Sequence, residues 1–131
     1  MKDFLVDQFQ YTVQDLLVRN KSILDSLTKF QDSNAKTNRA IVKAATQCGC
    51  IKITAEKKQL PEGSSLEDMK QVAETHVEGK LCENCRETIE SEMGKNLFYL
   101  VSLCNTLDLN LYDIIIQEEA RVKMLGQYNL R

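Results

Sequence analysis

Four cysteines form two closely spaced pairs that could ligate a metal ion. Cys48 and Cys50 make a Cys-x-Cys pair, and Cys82 and Cys85 make a Cys-x-x-Cys pair. We expect one helix to end at the first pair and another to begin at the second, where the N–H groups of the first turn favour thiolate sulfur. Four soft ligands favour zinc, so the pairs predict a four-cysteine zinc site. Unligated thiols, a redox disulfide within either pair, and His76 as a replacement ligand remain open.

A cluster of carboxylates follows the second cysteine pair. Glu83, Glu87 and Glu90 share one face of the expected helix, and Glu92 lies off that face. Clustered carboxylate oxygens can hold Mg²⁺. The alternative is a solvated helix start, whose acidic side chains interact favourably with the helix dipole. The spacing alone favours this second interpretation.

The length and composition of the chain indicate the class of protein that contains these residues. A chain of 131 residues suits a single domain over residues 1–131. Its 17 basic and 19 acidic residues give a net charge of −2 without a basic block, so we expect no nucleic-acid partner. We find neither a signal-peptide segment nor a membrane span of roughly 18 apolar residues, which predicts a cytoplasmic protein without a membrane partner. Five cysteines in that setting favour reduced thiols over a disulfide framework.

The first half of the chain is expected to contain two helices. Apolar residues spaced near 3.6 predict a long helix over residues 3–30, followed by a capping connection at residues 31–34. A second helix should run from residue 35 to about residue 47, with Gly49 as its end. Residues 51–65 lose the helical period and are expected to be irregular.

The second half predicts a short helix, a central helix and a final helix. The short helix should start at Ser65 and run to about His76, with Gly79 as its stop, and the final helix should run over residues 111–125, with Gly126 as its stop. Between them, the central helix 82–107 contains no proline. The expected fold is therefore all-α, a bundle of four principal helices and one short helix packed around the central helix.

The central helix is apolar on more than one side. Its main stripe has a spacing of three and four residues and consists of Ile89, Met93, Leu97, Leu100, Cys104 and Leu107. Phe98, Val101 and Leu103 extend the apolar surface beyond that stripe. In so short a chain, this width predicts that a second subunit covers part of the helix. We therefore expect a homodimer.

The central helix also carries a family resemblance. Residues 90–100, ESEMGKNLFYL, and residues 107–111, LDLNL, resemble the second half of MazG-like proteins of the all-α nucleotide pyrophosphohydrolase superfamily. That family typically shows Glu-Glu-Leu-Gly-Asp, an apolar Leu-Phe-Tyr-Leu run and a Gly-Ile-Asp-Leu turn. The motifs cover roughly residues 87–128, and the helix order covers the whole chain. The resemblance implies Mg²⁺ held against a nucleoside triphosphate by Glu-x-x-Glu and Glu-x-x-Asp motifs on two helices.

The chain departs from that family at the metal ligands. Glu92 matches the Glu of Glu-x-x-Asp, but Lys95 stands in the position of the Asp. An ammonium group there removes a ligand and repels the cation. The segment expected to supply Glu-x-x-Glu, residues 43–50, contains no acidic residue. Lys43 and Lys95 are instead candidates for binding phosphate directly.

Two functional hypotheses follow from these residues. The first is a dimeric, non-catalytic MazG-like protein with a structural, regulatory or ligand-binding role and a zinc site formed by the four paired cysteines. The alternative is an active Mg²⁺-dependent nucleoside triphosphate pyrophosphohydrolase with an altered carboxylate site formed by Glu87, Glu90 and Glu92. In both cases a nucleotide is a candidate ligand.

Overall fold

Helices make up most of the chain. The computed structural model describes residues 4–16, 22–57, 59–72 and 74–128. In chain order the elements are α1 (Phe4–Leu16), α2 (Ile23–Lys43), a π-helical turn (Ala44–Cys48), β1 (Ile51–Ile53), α3 (Leu66–Val72), β2 (Val77–Gly79), α4 (Glu83–Thr106) and α5 (Leu111–Tyr128). The prediction of a mainly helical fold is confirmed, with the addition of one small sheet. No helix within the described ranges has both the length and the apolar character needed to cross a membrane.

The prediction of one helix over residues 3–30 is wrong. Ser22 has an extended backbone, with φ −66° and ψ 134°, and its hydroxyl accepts a hydrogen bond from the Leu24 N–H at 3.2 Å. This is the geometry of a helix N-cap, so a new helix starts here. The Ser-x-x-Asp pattern that begins at Ser22 is the sequence signal for that start. The predicted start at Asp3 and the stretch 17–21 lie outside the described residues.

The predicted connection at residues 31–34 is part of α2. The side chains of Ser33 and Asn34 contact α4 instead of capping a helix. Asn96 Nδ2 donates a hydrogen bond to Ser33 Oγ at 2.8 Å and another to Asn34 Oδ1. Ser33 is buried, so this contact pairs polar groups inside the α2–α4 interface. Residues that favour caps are tolerated within a helix when a neighbouring helix satisfies their side chains.

Helix α4 is the centre of the fold, because both α1 and α2 pack against it. Its bounds agree with the predicted central helix 82–107 to within one residue. Two buried clusters lie along it. One consists of Val13, Val101 and Leu111, and the other consists of Ala44, Ile51 and Ile89. The second cluster lies beside the cysteine pairs, since Cys50 and Cys85 pack against it.

The predicted irregular segment 51–65 begins with strand β1 of a two-stranded antiparallel sheet, whose second strand, β2, lies beyond α3. Strand β1 pairs with β2 so that Ile51 is opposite Gly79. The prediction that Gly79 ends the short helix is therefore wrong, because α3 ends earlier and Gly79 belongs to β2. Gly79 has φ 86°, and a Cβ atom there would lie 2.7 Å from the carbonyl oxygen of Cys50. Only glycine allows this close approach of the two strands.

Two predicted helix starts are confirmed by their caps. Ser65 Oγ accepts from the Asp68 N–H at 3.2 Å, while Asp68 Oδ2 accepts from the Ser65 N–H at 3.0 Å, which is a reciprocal capping box. Asn110 Oδ1 accepts from the Asp113 N–H at 2.9 Å at the start of α5. Gly126 does not end α5, which continues to Tyr128.

The side chain of Gln10 connects three helices. Its Nε2 atom donates to Asn105 Oδ1 at 2.9 Å and to the Leu109 carbonyl at 2.8 Å. Its Oε1 atom accepts from the Leu111 N–H, also at 2.8 Å. Asn105 Nδ2 donates in return to the Gln10 carbonyl at 3.2 Å. The network holds α1 against the end of α4 and the start of α5.

We predict that Gln10→Ala lowers the free energy of unfolding by about 2–3 kcal/mol, because it removes three side-chain hydrogen bonds, two half-buried and one exposed, worth roughly 1 kcal/mol each. Urea denaturation followed by circular dichroism measures the change. Gln8→Ala is the matched control, since Gln8 is exposed on the same helix, and its effect should stay within about 0.5 kcal/mol. Equal effects of the two substitutions would contradict the role given to Gln10.

Candidate metal centre

Four thiols meet at one end of α4. The Sγ atoms of four residues all lie within 4.8 Å of one another, namely Cys48, Cys50, Cys82 and Cys85. Cys48 Sγ and Cys82 Sγ are 3.7 Å apart, and all four residues are free cysteines. Within the described ranges, this is the only group of three or more His, Cys, Asp or Glu residues whose ligand atoms converge. His76 is not part of it.

The first cysteine pair is positioned by the end of α2. The last turn, Ala44–Cys48, is π-helical, and the Gly49 N–H donates to the Ala44 carbonyl at 2.8 Å, five residues back. Gly49 then takes the left-handed conformation with φ 82°, which confirms it as the end of the helix. This reversal brings Cys50 back beside Cys48. Single π-helical turns of this kind are frequent at functional sites.

The second pair is positioned by the start of α4. Cys82 is the N-cap, and its Sγ atom accepts a hydrogen bond from the Cys85 N–H at 3.4 Å. Three residues correspond to almost one helical turn, so Cys85 points to the same side as Cys82. The N–H groups of the first turn stabilise negative charge on the Cys82 sulfur. The local geometry therefore favours a thiolate at Cys82.

Apolar packing fixes the relative position of the two pairs. Cys50 and Cys85 are half-buried and contact the cluster that contains Ile51 and Ile89. The pairing of β1 with β2 places the chain segment before Leu81 next to Cys50. Leu81 itself packs against the same cluster. The cysteine site thus lies against a cluster of buried apolar side chains, and Cys48 is its exposed member.

The thiols differ in their ionisation. The hydrogen bond from the Cys85 backbone N–H, with a further contribution from the Cys85 thiol, lowers the pKa of Cys82 to about 7. The neighbouring Cys82 sulfur raises the pKa of Cys85 to about 12. One thiol of the pair therefore ionises near neutral pH while its neighbour stays protonated. A bound cation would remove this asymmetry, because it stabilises every thiolate that it contacts.

The carboxylates do not form a comparable site. Glu87 and Glu90 are exposed. The Glu92 side chain is 19% exposed, and its Oε1 atom is 3.6 Å from Lys95 Nζ. That oxygen has no hydrogen-bond partner among the described residues. The three glutamates named by the sequence are therefore not brought together around one point.

The part of α2 that faces Glu92 is not residues 43–50, the segment expected from the family resemblance to supply the Glu-x-x-Glu motif. Asn96, one turn after Glu92, contacts Ser33. Because α2 and α4 are antiparallel, Glu92 lies about one turn beyond Ser33 along α2, near Lys36. Lys43, the last residue of α2, is seven residues beyond Lys36, or roughly 10 Å at the helical rise of 1.5 Å per residue, and residues 44–50 follow it. The position facing Glu92 is therefore occupied by hydroxyl, amide and lysine side chains of α2.

The two candidate phosphate-binding lysines are also separated. Lys43 is half-buried in the last turn of α2, near the cysteines. Lys95 lies at the level of Ser33, is 63% exposed in its side chain and pairs with Glu92. Ser33 and Lys43 are ten residues apart on α2, so the two lysines are separated by roughly 15 Å along the helix. They do not form a single phosphate site.

The residue that sequence reasoning missed is Gly79. Because Gly79 allows β2 to approach the backbone of Cys50 closely, the chain that follows β2 places Cys82 next to the first cysteine pair. The available signal was the alternation of Ile51 and Ile53 together with Val77 and Gly79, which is weak because each strand has only three residues.

Comparison with protein-family models, with curated proteins and with solved structures finds no match to this chain. The interpretation of the metal centre therefore rests on the residues and geometry described above. The likeness to MazG-like proteins remains a prediction from the sequence.

We predict that iodoacetamide alkylates Cys82 before Cys85 in the reduced, metal-free protein. The thiolate is the nucleophile, so the rate at Cys82 should be low below pH 7, rise through its pKa of about 7 and level off above it. Cys85 should stay roughly tenfold slower or more at pH 8. Peptide mass spectrometry measures each site, with the denatured protein as the equal-reactivity control. Equal rates at the two cysteines in the folded protein would contradict the assignment.

Proposed function

We propose that this protein is a zinc-binding helical protein whose four-cysteine site holds the end of α2 and the small sheet against the start of α4. The observation that carries the proposal is the convergence of four Sγ atoms within 4.8 Å. A tetrahedron with Zn–S bonds of about 2.3 Å has sulfur atoms roughly 3.8 Å apart. The distance of 3.7 Å between Cys48 and Cys82 suits that geometry. A disulfide would require about 2.05 Å.

The ligand set supports a structural or regulatory role for the metal. Four thiolates occupy all four coordination positions of a tetrahedral zinc ion, whereas catalytic zinc sites keep one position for water or substrate. The sheet has only three residues in each strand and cannot be stable by itself in water. Metal ligation on both sides of the segment between Cys50 and Cys82 would hold its two ends together in the folded state, and the free energy of binding would add to the stability of the fold. The zinc ion would therefore stabilise the segment that contains α3.

The proposal places this site on a MazG-like scaffold without pyrophosphohydrolase activity. Antiparallel packing of α2 on α4 and the order of the helices are compatible with such a scaffold. The pairing of Lys95 with Glu92 and the exposure of Glu87 and Glu90 favour the non-catalytic hypothesis over a Mg²⁺ site. A metal bound by these glutamates would need them to converge, which requires a different arrangement of α4.

Replacement of a ligand tests the proposal. We expect the reduced wild-type protein to contain about one zinc per chain, and Cys85→Ser to contain less than about a tenth of an equivalent, because structural sites need all four ligands. Elemental analysis measures the metal. Hydrogen exchange should become faster at the amides of β1 and β2 in the variant, since the loop is no longer closed.

Cys104→Ala is the matched control for this experiment. Cys104 is a buried cysteine on the same helix and does not belong to the thiol group. Its substitution should leave both the zinc content and the exchange of the sheet unchanged. Zinc retained by Cys85→Ser, or absent from the wild-type protein, would contradict the proposed site.

A further inference from the structure

The four cysteines of the metal centre differ in how they are held. Cys50 and Cys85 pack against the buried apolar cluster beside the site. The Cys50 thiol also donates to the Ala44 carbonyl at 3.8 Å. Cys48 is exposed, and Cys82, although half-buried, is not among the described side chains that pack against the cluster. Two of the four thiols are therefore fixed by contacts with this cluster, and the other two are not.

The two thiols that the cluster does not fix lie close to each other. The Sγ atoms of Cys48 and Cys82 are 3.7 Å apart. A disulfide bond is about 2.05 Å long, so one sulfur has to move by roughly 1.7 Å. Rotation of a side chain between staggered rotamers can provide this shift, and Cys48 has solvent around it. The geometry therefore favours a disulfide between the two cysteine pairs, whereas the sequence left open a disulfide within either pair.

Exposure determines which sulfur atom reacts first with an oxidant in solution. Cys48 is the one exposed thiol of the group, and the other three are half-buried. Metal ligation keeps each sulfur in its deprotonated form. Susceptibility to oxidation follows thiolate character and exposure. A small oxidant such as a hydroperoxide is therefore expected to react at Cys48.

From these observations we infer that a hydroperoxide converts the metal centre into a disulfide between Cys48 and Cys82 and thereby releases the zinc ion. This reaction rests on the proposed function, because it starts from the zinc-bound form of the same four thiols. It makes the metal content of the protein depend on the peroxide concentration.

The reaction with hydrogen peroxide has two steps. In the first, the Cys48 thiolate attacks one peroxide oxygen, the O–O bond breaks and hydroxide leaves, so that Cys48 becomes a sulfenic acid. In the second, the Cys82 thiolate attacks the Cys48 sulfur, an S–S bond forms, the S–O bond breaks and a second hydroxide leaves. The two sulfur atoms together lose two electrons, and the peroxide gains them.

The oxidised site retains too few ligands for zinc. Only Cys50 and Cys85 remain as thiols, whereas a structural zinc site uses four ligands. A dithiol reductant reverses the change by thiol–disulfide exchange, in which the dithiol itself becomes a disulfide. The restored thiols can then bind zinc again.

The disulfide joins the same two parts of the fold as the metal. Cys48 ends the π-helical turn after α2, and Cys82 is the N-cap of α4. The chain between them contains both strands and α3. A bond between Cys48 and Cys82 therefore keeps the ends of this segment together after zinc has left. The oxidised protein should retain the pairing of β1 with β2, in contrast to reduced protein from which a chelator has removed zinc.

Titration of the zinc-loaded, full-length protein with hydrogen peroxide tests this inference. A chromogenic chelator measures released zinc, and mass spectrometry of tryptic peptides without reduction identifies the disulfide. Cleavage after lysine and arginine places Cys48 in the peptide 44–52 and Cys82 in the peptide 81–86. We expect about one zinc ion released for each cross-linked pair of these peptides. Hydrogen exchange at the amides of β1 and β2 should be slower in the oxidised protein than in the reduced, chelated protein.

A matched pair of variants identifies the cysteine of the first pair that forms the disulfide. Cys48→Ser and Cys50→Ser each lack one ligand, so both are compared in the metal-free state. We expect Cys48→Ser to lower the yield of cross-linked peptides at least roughly tenfold and Cys50→Ser to change it less than roughly twofold. Circular dichroism shows whether each variant is folded. Fragmentation of the cross-linked wild-type peptides identifies the bonded cysteines without any substitution.

Several outcomes would overturn the inference and leave the zinc site in place. They are zinc retained after oxidation, zinc released with a disulfide inside either peptide, and equal cross-linking in the two folded variants. Absence of zinc before peroxide is added would contradict the proposed function itself, and the inference with it. The metal content of the starting protein therefore distinguishes the two failures.

Discussion

Repulsion between closely spaced sulfur atoms is the constraint on which the metal end of this protein depends. Four thiols within 4.8 Å cannot all ionise without a cation, since like charges at this distance disfavour one another. In one pair, the hydrogen bond from the Cys85 N–H lowers the pKa of Cys82 to about 7 and the neighbouring Cys82 sulfur raises the pKa of Cys85 to about 12, so only one of the two thiols ionises near neutral pH. Zinc would offset the repulsion and use the same geometry as a coordination shell.

The strands and the helix ends make that geometry stable only in combination. Gly49 reverses the chain after α2, Gly79 lets β2 approach the backbone of Cys50, and Cys82 caps α4. Each feature is local, but the meeting of the thiols needs all three. A small sheet and one turn of helix bury little apolar area, so the metal would supply stability that the core cannot.

Local signals in the sequence predict the ends of helices, because caps and helix stops depend on residues that are close together in the chain. The bounds of α4, the capping box at Ser65 and the helix end at Gly49 follow from nearest neighbours along the chain, and the structure agrees with them. The apolar spacing continues through Ser22, so the single cap that starts α2 is a weaker signal than the spacing. Ser33 favours a loop by its residue type, and the partner that keeps it in a helix, Asn96, is distant in sequence.

The candidate site also depends on both local and long-range features. Residue type and spacing predict the four cysteines as ligands, but their convergence depends on the pairing of Ile51 with Gly79, which no local pattern determines. The family resemblance predicts a metal ligand at Glu92, whereas the fold places Lys95 beside it and leaves Glu87 and Glu90 exposed. Helix α4 thus has a thiol end and an apolar side toward α5, with distinct roles.

X-ray absorption at the zinc edge of the native, reduced protein tests the central claim most directly. The account predicts one zinc ion per chain, surrounded by four sulfur atoms at about 2.3 Å. Absence of zinc, or a shell containing nitrogen or oxygen ligands in place of any of the four sulfur atoms, would contradict it.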